Sequence, residues 1–549
     1  MIRSLSRKWR CIAPLMLALV ATAALADGGW STAGHDLANT RNQPGETQIN
    51  TTTVAALTPQ WTFTVAGDVT ANPAVDDDGA IYFPDSAGFL YKVNPDGTQA
   101  WKVAVGAVTG IAHDYVRATP AIAGNALIMG NQSGKNNEYF GNPVPAQGAW
   151  VFAVDKRTGA KLWLTQIDAA KRSMVTHSAI VAKGLAYVGV ASNDELVAGL
   201  VTRAAPGNFQ WQGRGSMVAL DVATGAIRWK TYMVPEGGYY GGSIWGSTGA
   251  VDLKRNQLYV ATGDNFWVPE SVQQCAAAAL AAGKSPTGCF AADDYFDAIV
   301  ALDLDTGKVN WAQHGIPYDV WNVGCGLVIP GVFTIPPNDN CPNPKGPDYD
   351  FAQGPILMVD SAGVGDNDIV GAGQKSGMFW AFKAKNGAPA WHTQVAPGGL
   401  TGGLQWGSAY DGQRIYVAVA QAGPNGGGQP PVQPWTLKTN PPSTTTAGGW
   451  AALDPKHGDV LWTTPDPNGS RSEGAVSVAN GVVFGCSLNY NPHADNYFAL
   501  DAATGAIKWS FVGGAACSAG PSISNGHVYW GIGTFAGTGN KRVYGFGLP

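Results

Sequence analysis

Few side chains in this sequence stand in a spacing that names a reaction. Cysteine sorts first. Cys11 lies in an apolar N-terminal stretch, and six others follow: Cys275, Cys289, Cys325, Cys341, Cys486 and Cys517. An even number in an exported chain points to disulfides, and pairing nearest neighbours gives Cys275–Cys289, Cys325–Cys341 and Cys486–Cys517 among several possible connectivities. No C-x-x-C-H is present, so the chain carries no covalent c-type haem. Ser-His-Asp, H-E-x-x-H and paired-cysteine zinc spacings are also missing, which leaves hydrolysis and lyase chemistry little support. What is left is a set of single residues in distinctive surroundings. They include Trp245 in Ser243-Ile-Trp-Gly, Asp319 in Pro317-Tyr-Asp-Val-Trp-Asn322, and Lys375 in Gly373-Gln-Lys-Ser-Gly377. Each has a bland reading, a core indole or a turn lysine facing water, beside a functional one.

The elements that must position these residues are written as a repeat. Met217-Val-Ala-Leu-Asp-Val-Ala-Thr-Gly-Ala-Ile-Arg-Trp229 alternates like a half-buried strand, turns at Asp221–Gly225, and returns to a large aromatic. Aspartate bonds back to its own turn, and Gly225 supplies the positive φ that a tight hairpin needs. Copies with Gly four residues before Trp end at Trp163, Trp311, Trp391, Trp462 and Trp509, and a shorter one ends at Trp101. Trp61 has no hairpin before it, whereas Val543-Tyr-Gly-Phe546 near the C-terminus is a first half without a second. Successive Trp residues lie about 40 to about 80 apart, which suits four-stranded blades with unequal insertions. The expectation is an all-β fold, an eight-bladed β-propeller closed by pairing of the N- and C-terminal strands, which leaves no open edge.

Arg3, Arg7, Lys8 and Arg10 precede an apolar run that ends Ala24-Leu-Ala26, the form of a secretory signal peptide over residues 1–26. A periplasmic or secreted protein is therefore expected, with residues 27–549 as one propeller domain. No later stretch is long and apolar enough to span a membrane. Removing residues 1–26 leaves 30 basic against 39 acidic side chains, a net charge of −9. An acidic chain without a basic run is a poor partner for nucleic acid or an anionic membrane. Residues 197–215 read as loop, 266–296 as an insertion holding a short helix, and 421–449 as too polar and broken for regular structure.

Several stretches carry a resemblance. Gly34-His-Asp-Leu-Ala-Asn-Thr-Arg41, Ser243-Ile-Trp-Gly246, Leu258-Tyr-Val-Ala-Thr-Gly-Asp-Asn265, Pro317 to Asn322 and Gly373 to Gly377 occur in the order found in quinoprotein alcohol dehydrogenases. These are eight-bladed propellers that bind pyrroloquinoline quinone (PQQ), and within the group this chain most resembles polyvinyl-alcohol dehydrogenases. The resemblance implies an aromatic floor at Trp245 with Ser243 beside it, a hydroxyl donor at Thr176 and a carboxylate-pairing arginine at Arg117. Lys375 matches the cation on the quinone oxygens. Calcium would be held by Glu195, for which Asp194 competes, and by Asp264, where many relatives have asparagine. The family's catalytic aspartate falls on Asn322, an amide that cannot accept a proton at neutral pH, with Asp319 the nearest carboxylate. The vicinal disulfide of many relatives falls on Ile111-Ala112.

The function so implied is oxidation of secondary or polymeric alcohols by hydride transfer to PQQ. Without a haem segment, electrons would pass to a separate cytochrome c or another acceptor. The alternative is a propeller without quinone, acting as a binding or outer-membrane assembly scaffold.

Overall fold

The computed structural model describes residues 28–132, 147–201, 209–329, 333–359, 366–421, 433–534, 537 and 539–549. The expected leader lies outside them. Eight antiparallel blades of four strands each follow one another round an axis, and two of them gain a fifth strand: Ser173–Met174 beside Leu185–Ser192, and Asn42–Gln43 in parallel beside Ser477–Ala479. Blade 1 runs from Ala74–Val75 to Gln99–Ala104, blade 2 from Ala121–Ala123 to Lys161–Asp168, and blade 3 from Ile180–Ala182 to Ile227–Tyr232. Blade 4 runs from Ala250–Asp252 to Val309–His314, blade 5 from Ile356–Met358 to Pro389–Gln394, and blade 6 from Ala409–Tyr410 to Val460–Pro465. Blade 7 takes Ser477–Ala479 to Ile507–Phe511. Blade 8 joins Ser522–Ser524, His527–Gly531 and Arg542–Gly547 to Thr58–Thr64 from the far end of the chain. The closure read from Trp61 and Phe546 is therefore the one that forms.

The repeated Gly and Trp explain why the blades stack. Gly225 of blade 3 has φ +71, and a Cβ there would meet the Trp163 ring of blade 2 at 2.5 Å. Each outer-strand Trp lies against the next blade, on its last hairpin turn or, for Trp509, on Leu57 where the chain ends meet, and donates its indole N–H to a backbone carbonyl there. Trp163 reaches Val222 at 2.9 Å, Trp229 reaches Leu304 at 3.0 Å, and Trp311 reaches Ala384 at 3.2 Å. The series continues through Trp391, Trp462, Trp509, Trp61 and Trp101 until it meets its own start. One residue type thus supplies apolar area and a satisfied polar handle at all eight seams.

A second device crosses the axis. Residues 30–43 run across the inner edges of the blades and bond to each in turn. Trp30 exchanges bonds with Val75 of blade 1, and Ser31 accepts from Ile122 of blade 2. Thr32 donates its hydroxyl to Ala179 at the entrance to blade 3. Leu37, Ala38, Thr40 and Arg41 accept from Val251, Leu357, Tyr410 and Val478 of blades 4 to 7. Gln43 donates to Ile523 of blade 8 at 3.1 Å.

All three disulfides form as paired above. Helix Glu270–Ala281 occupies the 266–296 insertion and is tied by Cys275–Cys289. Two expectations need correction. Residues 194–200 form a helix, so the supposed loop begins as regular structure. Within 421–449, Trp435–Leu437 pairs with Ser443–Thr445 as a hairpin, because Trp435 and Leu437 alternate inward onto the core of blades 5 and 6. Residues 202–208 and 422–432 of these two insertions lie outside the described set.

Candidate active site

In an antiparallel blade the start of the first strand and the end of the second lie side by side. Side chains at both places therefore gather at one end of the axis. Arg117, Thr176, Ser243, Trp245, Asp348, Asp350 and Trp406 precede first strands, whereas Glu195, Asp264 and Lys375 follow second strands.

Lys375 is the centre. Its ammonium donates to Asp348 Oδ1 and Asp350 Oδ2, each at 2.7 Å, and lies 5.1 Å from the centroid of the Trp245 ring. Burial by itself would lower its pKa, but Asp348, Asp350 and Glu195 outweigh that and hold the amine charged. Asp350 Oδ1 accepts from the backbone N–H of Asp264 at 2.5 Å. Carboxylate oxygens of Asp264, Asp348 and Asp350 all lie within 4.8 Å of one another. Asp264 Oδ2 accepts from the Trp321 N–H at 3.1 Å, but its Oδ1 is buried with no hydrogen-bond partner. Burial, reinforced by neighbouring carboxylates, pushes Asp264 well above the usual range. Burial also takes Glu195 up to about 7, with Lys375 opposing and Asp350 and Asp319 adding to the rise. Asp194, its competitor in the sequence, is spent on Arg172 and on the N–H groups of Gln212 and Gly213.

Crowded carboxylates with one lysine and an orphaned buried oxygen fit an oxygen-liganded cation. The residues that could hold it are Asp264, Asp348 and Asp350, with Glu195 at the rim.

Beside this acidic cluster lies a hollow of about 50 Å³, lined by Arg41, Arg117, Thr176, Trp245 and Trp406 among others. Thr176 Oγ1 donates to the Trp245 carbonyl at 3.0 Å. Trp406 stands at 84° to Trp245, their ring centroids 5.3 Å apart, and the Arg117 guanidinium lies 4.5 Å above the Trp406 ring. Trp406 Nε1 and Ser243 Oγ are buried without partners. Unspent donors, cations and two indoles suit a flat, anionic, oxygen-rich ligand. Ile111 is buried and Ala112 exposed, and neither lines the hollow.

The two loop candidates, Asp319 and Asn322, are placed differently. Asp319 accepts from the N–H groups of Asp348 at 3.1 Å and Tyr349 at 2.6 Å, so it holds the loop that carries Asp348 and Asp350. Burial lifts it to about 7. Asn322 donates to the carbonyls of Phe266 and Asn340 and accepts from the Gly324 N–H at 2.7 Å. Asp319 is thus tied to Lys375 through Asp348.

Sequence reasoning passed over Asp348, Asp350, Trp406 and Arg41. A signal existed for each acidic residue: Asp348-Tyr-Asp350-Phe places two carboxylates on one side of an extended segment. Trp406, like Trp245, is an indole outside the repeat position.

A larger groove of about 980 Å³ shares a wall with the site. Tyr349 and Ser376 face it, beside Pro317, Met378, Trp380 and Trp435.

The family profile described as outer membrane protein assembly factor BamB matches residues 50–313 and 443–546, more than half of the chain. A polyvinylalcohol dehydrogenase of Sphingopyxis sp. (strain 113P3) is 28% identical across 91% of this chain and 71% of its own length. Another from Pseudomonas sp. is 26% identical across 91% of this chain and 72% of its own. In fold, the chain is similar to the quinohemoprotein alcohol dehydrogenase of Comamonas testosteroni. That match has TM-score 0.64 and 19% identity, and covers 96% of this chain and 81% of the other. A europium-containing methanol dehydrogenase gives TM-score 0.63 at 16% identity, covering 95% of this chain and 98% of that one.

Proposed function

The chain belongs to the PQQ-type repeat propeller family that carries the BamB description, and from that premise and the axial site we propose that it is a PQQ-dependent alcohol dehydrogenase resembling the polyvinyl-alcohol enzymes. One observation carries the reading. Lys375 is buried between Asp348 and Asp350 and beside Trp245, a costly arrangement that a passive scaffold has no use for.

Trp245 would floor the quinone, with Trp406 at its edge, Arg117 pairing a carboxylate and Thr176 bordering the ring. Entry of a tricyclic ligand requires the side chains around the 50 Å³ hollow to shift, Trp406 among them. Asp264 and Asp348, with Glu195 at the rim, would hold calcium beside it, and Asp350, the third carboxylate of that cluster, stays free for proton transfer. When bound, PQQ supplies the electrophilic carbon that accepts hydride, and the metal polarises the adjoining carbonyl.

The protein's own part is proton and charge handling. Asp350 takes the hydroxyl proton of the alcohol. It packs against Gly263, and so does the Trp245 indole N–H, so a base lies at the edge of the ring floor. Lys375 places positive charge where an oxygen gains electron density, and its bonds to Asp348 and Asp350 fix both carboxylates beforehand. Asp319 acts through the loop it holds.

The substrate we propose is a secondary or polymeric alcohol. The broad aromatic groove beyond Tyr349 and the two polyvinylalcohol dehydrogenase relatives support it. A separate cytochrome c or similar acceptor would collect electrons, and the leader-like residues 1–26 support work in the periplasm or outside the cell. No helix among the described residues is long and apolar enough to cross a membrane.

The test is reconstitution with PQQ and Ca²⁺, followed by dye reduction with 2-butanol and with poly(vinyl alcohol). Dye reduction by either alcohol supports the enzyme. Absence of quinone binding at micromolar PQQ would favour the assembly-scaffold reading that the family profile's description brings with it.

A further inference from the structure

Among the described residues, the guanidinium of Arg41 is placed unlike those of the ion-paired arginines. Arg255, Arg471 and Arg172 are each bonded to a carboxylate: Asp252 and Asp368, Glu473, and Asp194. Arg41 is 1% exposed, its Nε and Nη1 are buried with no acceptor, and no carboxylate among the described residues lies within ion-pair reach. Burial draws its pKa down to about 10 with no acidic neighbour to offset it. A buried cation of this kind is an uncompensated charge that a bound anion would neutralise.

The fold sets it there deliberately. Arg41 belongs to the segment that crosses the axis, its backbone is left-handed at φ 50, and its carbonyl accepts from Val478 at 2.9 Å. Gly407 leaves the room: a Cβ at that position would meet Arg41 Nε at 2.4 Å. Arg41 thus borders the same hollow as Arg117, Trp245 and Trp406.

We propose that Arg41 is a second carboxylate-binding arginine of the axial site, forming with Arg117 an anion-binding end opposite the acidic end built by Glu195, Asp264, Asp348 and Asp350. The inference rests on the PQQ reading given above and extends it to orientation. A tricarboxylate has one stable way round in such a site. Its carboxylates go to the arginines, away from the four acidic groups, and its carbonyl edge goes towards Lys375. Guanidinium geometry suits this task because it can grip a carboxylate with two N–H groups.

The experiment measures PQQ affinity with Ca²⁺ present, by quenching of tryptophan fluorescence, for the wild type, Arg41→Gln, Arg41→Lys and Arg117→Gln. Arg41→Gln should raise Kd about ten-fold or more. Arg41→Lys, which keeps the charge, should raise it by about three-fold or more, because the two-pronged grip is lost. The trimethyl ester of PQQ should bind the wild type and Arg41→Gln alike. PQQ affinity in Arg41→Lys and any folded Arg41→Gln within about two-fold of wild type would overturn the proposal and leave the enzyme reading intact. If the wild type binds no PQQ, the enzyme reading fails, and benzene-1,3,5-tricarboxylate then decides the anion site by thermal shift. Stabilisation of the wild type that Arg41→Lys loses keeps the site, and no stabilisation removes it.

Discussion

Replacing Lys375 by methionine would leave Asp348 and Asp350 facing each other and Asp264 with no cation between them. In the protein that still folds, Lys375→Met should cut kcat by about a hundred-fold or more, because the positive charge beside the reacting oxygen is gone. Dye-coupled steady-state rates would show it, and a fall below ten-fold would remove the lysine from the chemistry. The same cluster sets a pH dependence. Glu195 and Asp319 titrate near 7 when folded, above the ordinary carboxyl range, chiefly because they are buried. Their contribution to stability is whole below the unfolded carboxyl pKa and is lost as pH rises through about 7. The Tm of metal-free protein should therefore fall from pH 5 to pH 8. Ca²⁺ should flatten that slope, since a cation competes with the protons, and a parallel downward shift of both melting curves would contradict this. Only part of this site was legible in the sequence. Trp245 and Lys375 stood in distinctive short motifs, but Asp350 lies 86 positions from the Asp264 backbone it bonds. Only the ring brings such distant linkers together, and a linear reading sees one acidic-aromatic loop, Asp319 to Asn322, as readily as the next.

Blade seams were far more legible than blade insertions, for a physical reason. Seven of the eight seams use the same two residues, a turn glycine with positive φ and an indole that lies on it, so the pair recurs at fixed spacing; the eighth, where the chain ends meet, sets Trp509 on Leu57. Gly225→Val should test the seam directly. The new side chain would be strained at φ +71 and would press on Trp163 at 2.5 Å, costing about 2–4 kcal/mol by thermal or urea unfolding. A neutral result would mean that the seam is not tightly packed. Insertions obey no such repeat. The hairpin Trp435–Leu437 with Ser443–Thr445 hides behind proline, glycine and threonine, because only two of its side chains, Trp435 and Leu437, need to reach the core. The loop behind the acidic cluster is held by chemistry as well as packing. Cys325–Cys341 closes 16 residues next to Asn322, worth about 3 kcal/mol by chain entropy. The double variant Cys325→Ala with Cys341→Ala should lose that stability and raise KM for the alcohol. An unchanged KM would uncouple this loop from the site.

At the scale of the whole ring, stability depends on one closure between distant parts of the chain. Among the described residues, Thr58–Thr64 pairs only with Arg542–Gly547, and the Trp61 and Trp509 indoles bond across the two seams of that blade. Seven of the eight blades are built from continuous chain and could pair locally, but the eighth cannot form until both ends have arrived. Cutting the chain after residue 541 would leave Thr58–Thr64 without its neighbour and expose the edge of His527–Gly531, which in the intact ring pairs with the lost strand. Exposed edges of that length recruit other chains. The strands on either side of the gap would also splay, and with them the nearby linker that carries Arg117, so the axial site should fail together with the fold. The shortened chain should therefore lose the single cooperative melting transition, elute as oligomers in size-exclusion chromatography, and bind no PQQ. A shortened chain that stays monomeric and melts within about 1 °C of the full protein would show that the closing blade is dispensable, since in a ring of this size about 1 kcal/mol corresponds to about one degree of Tm.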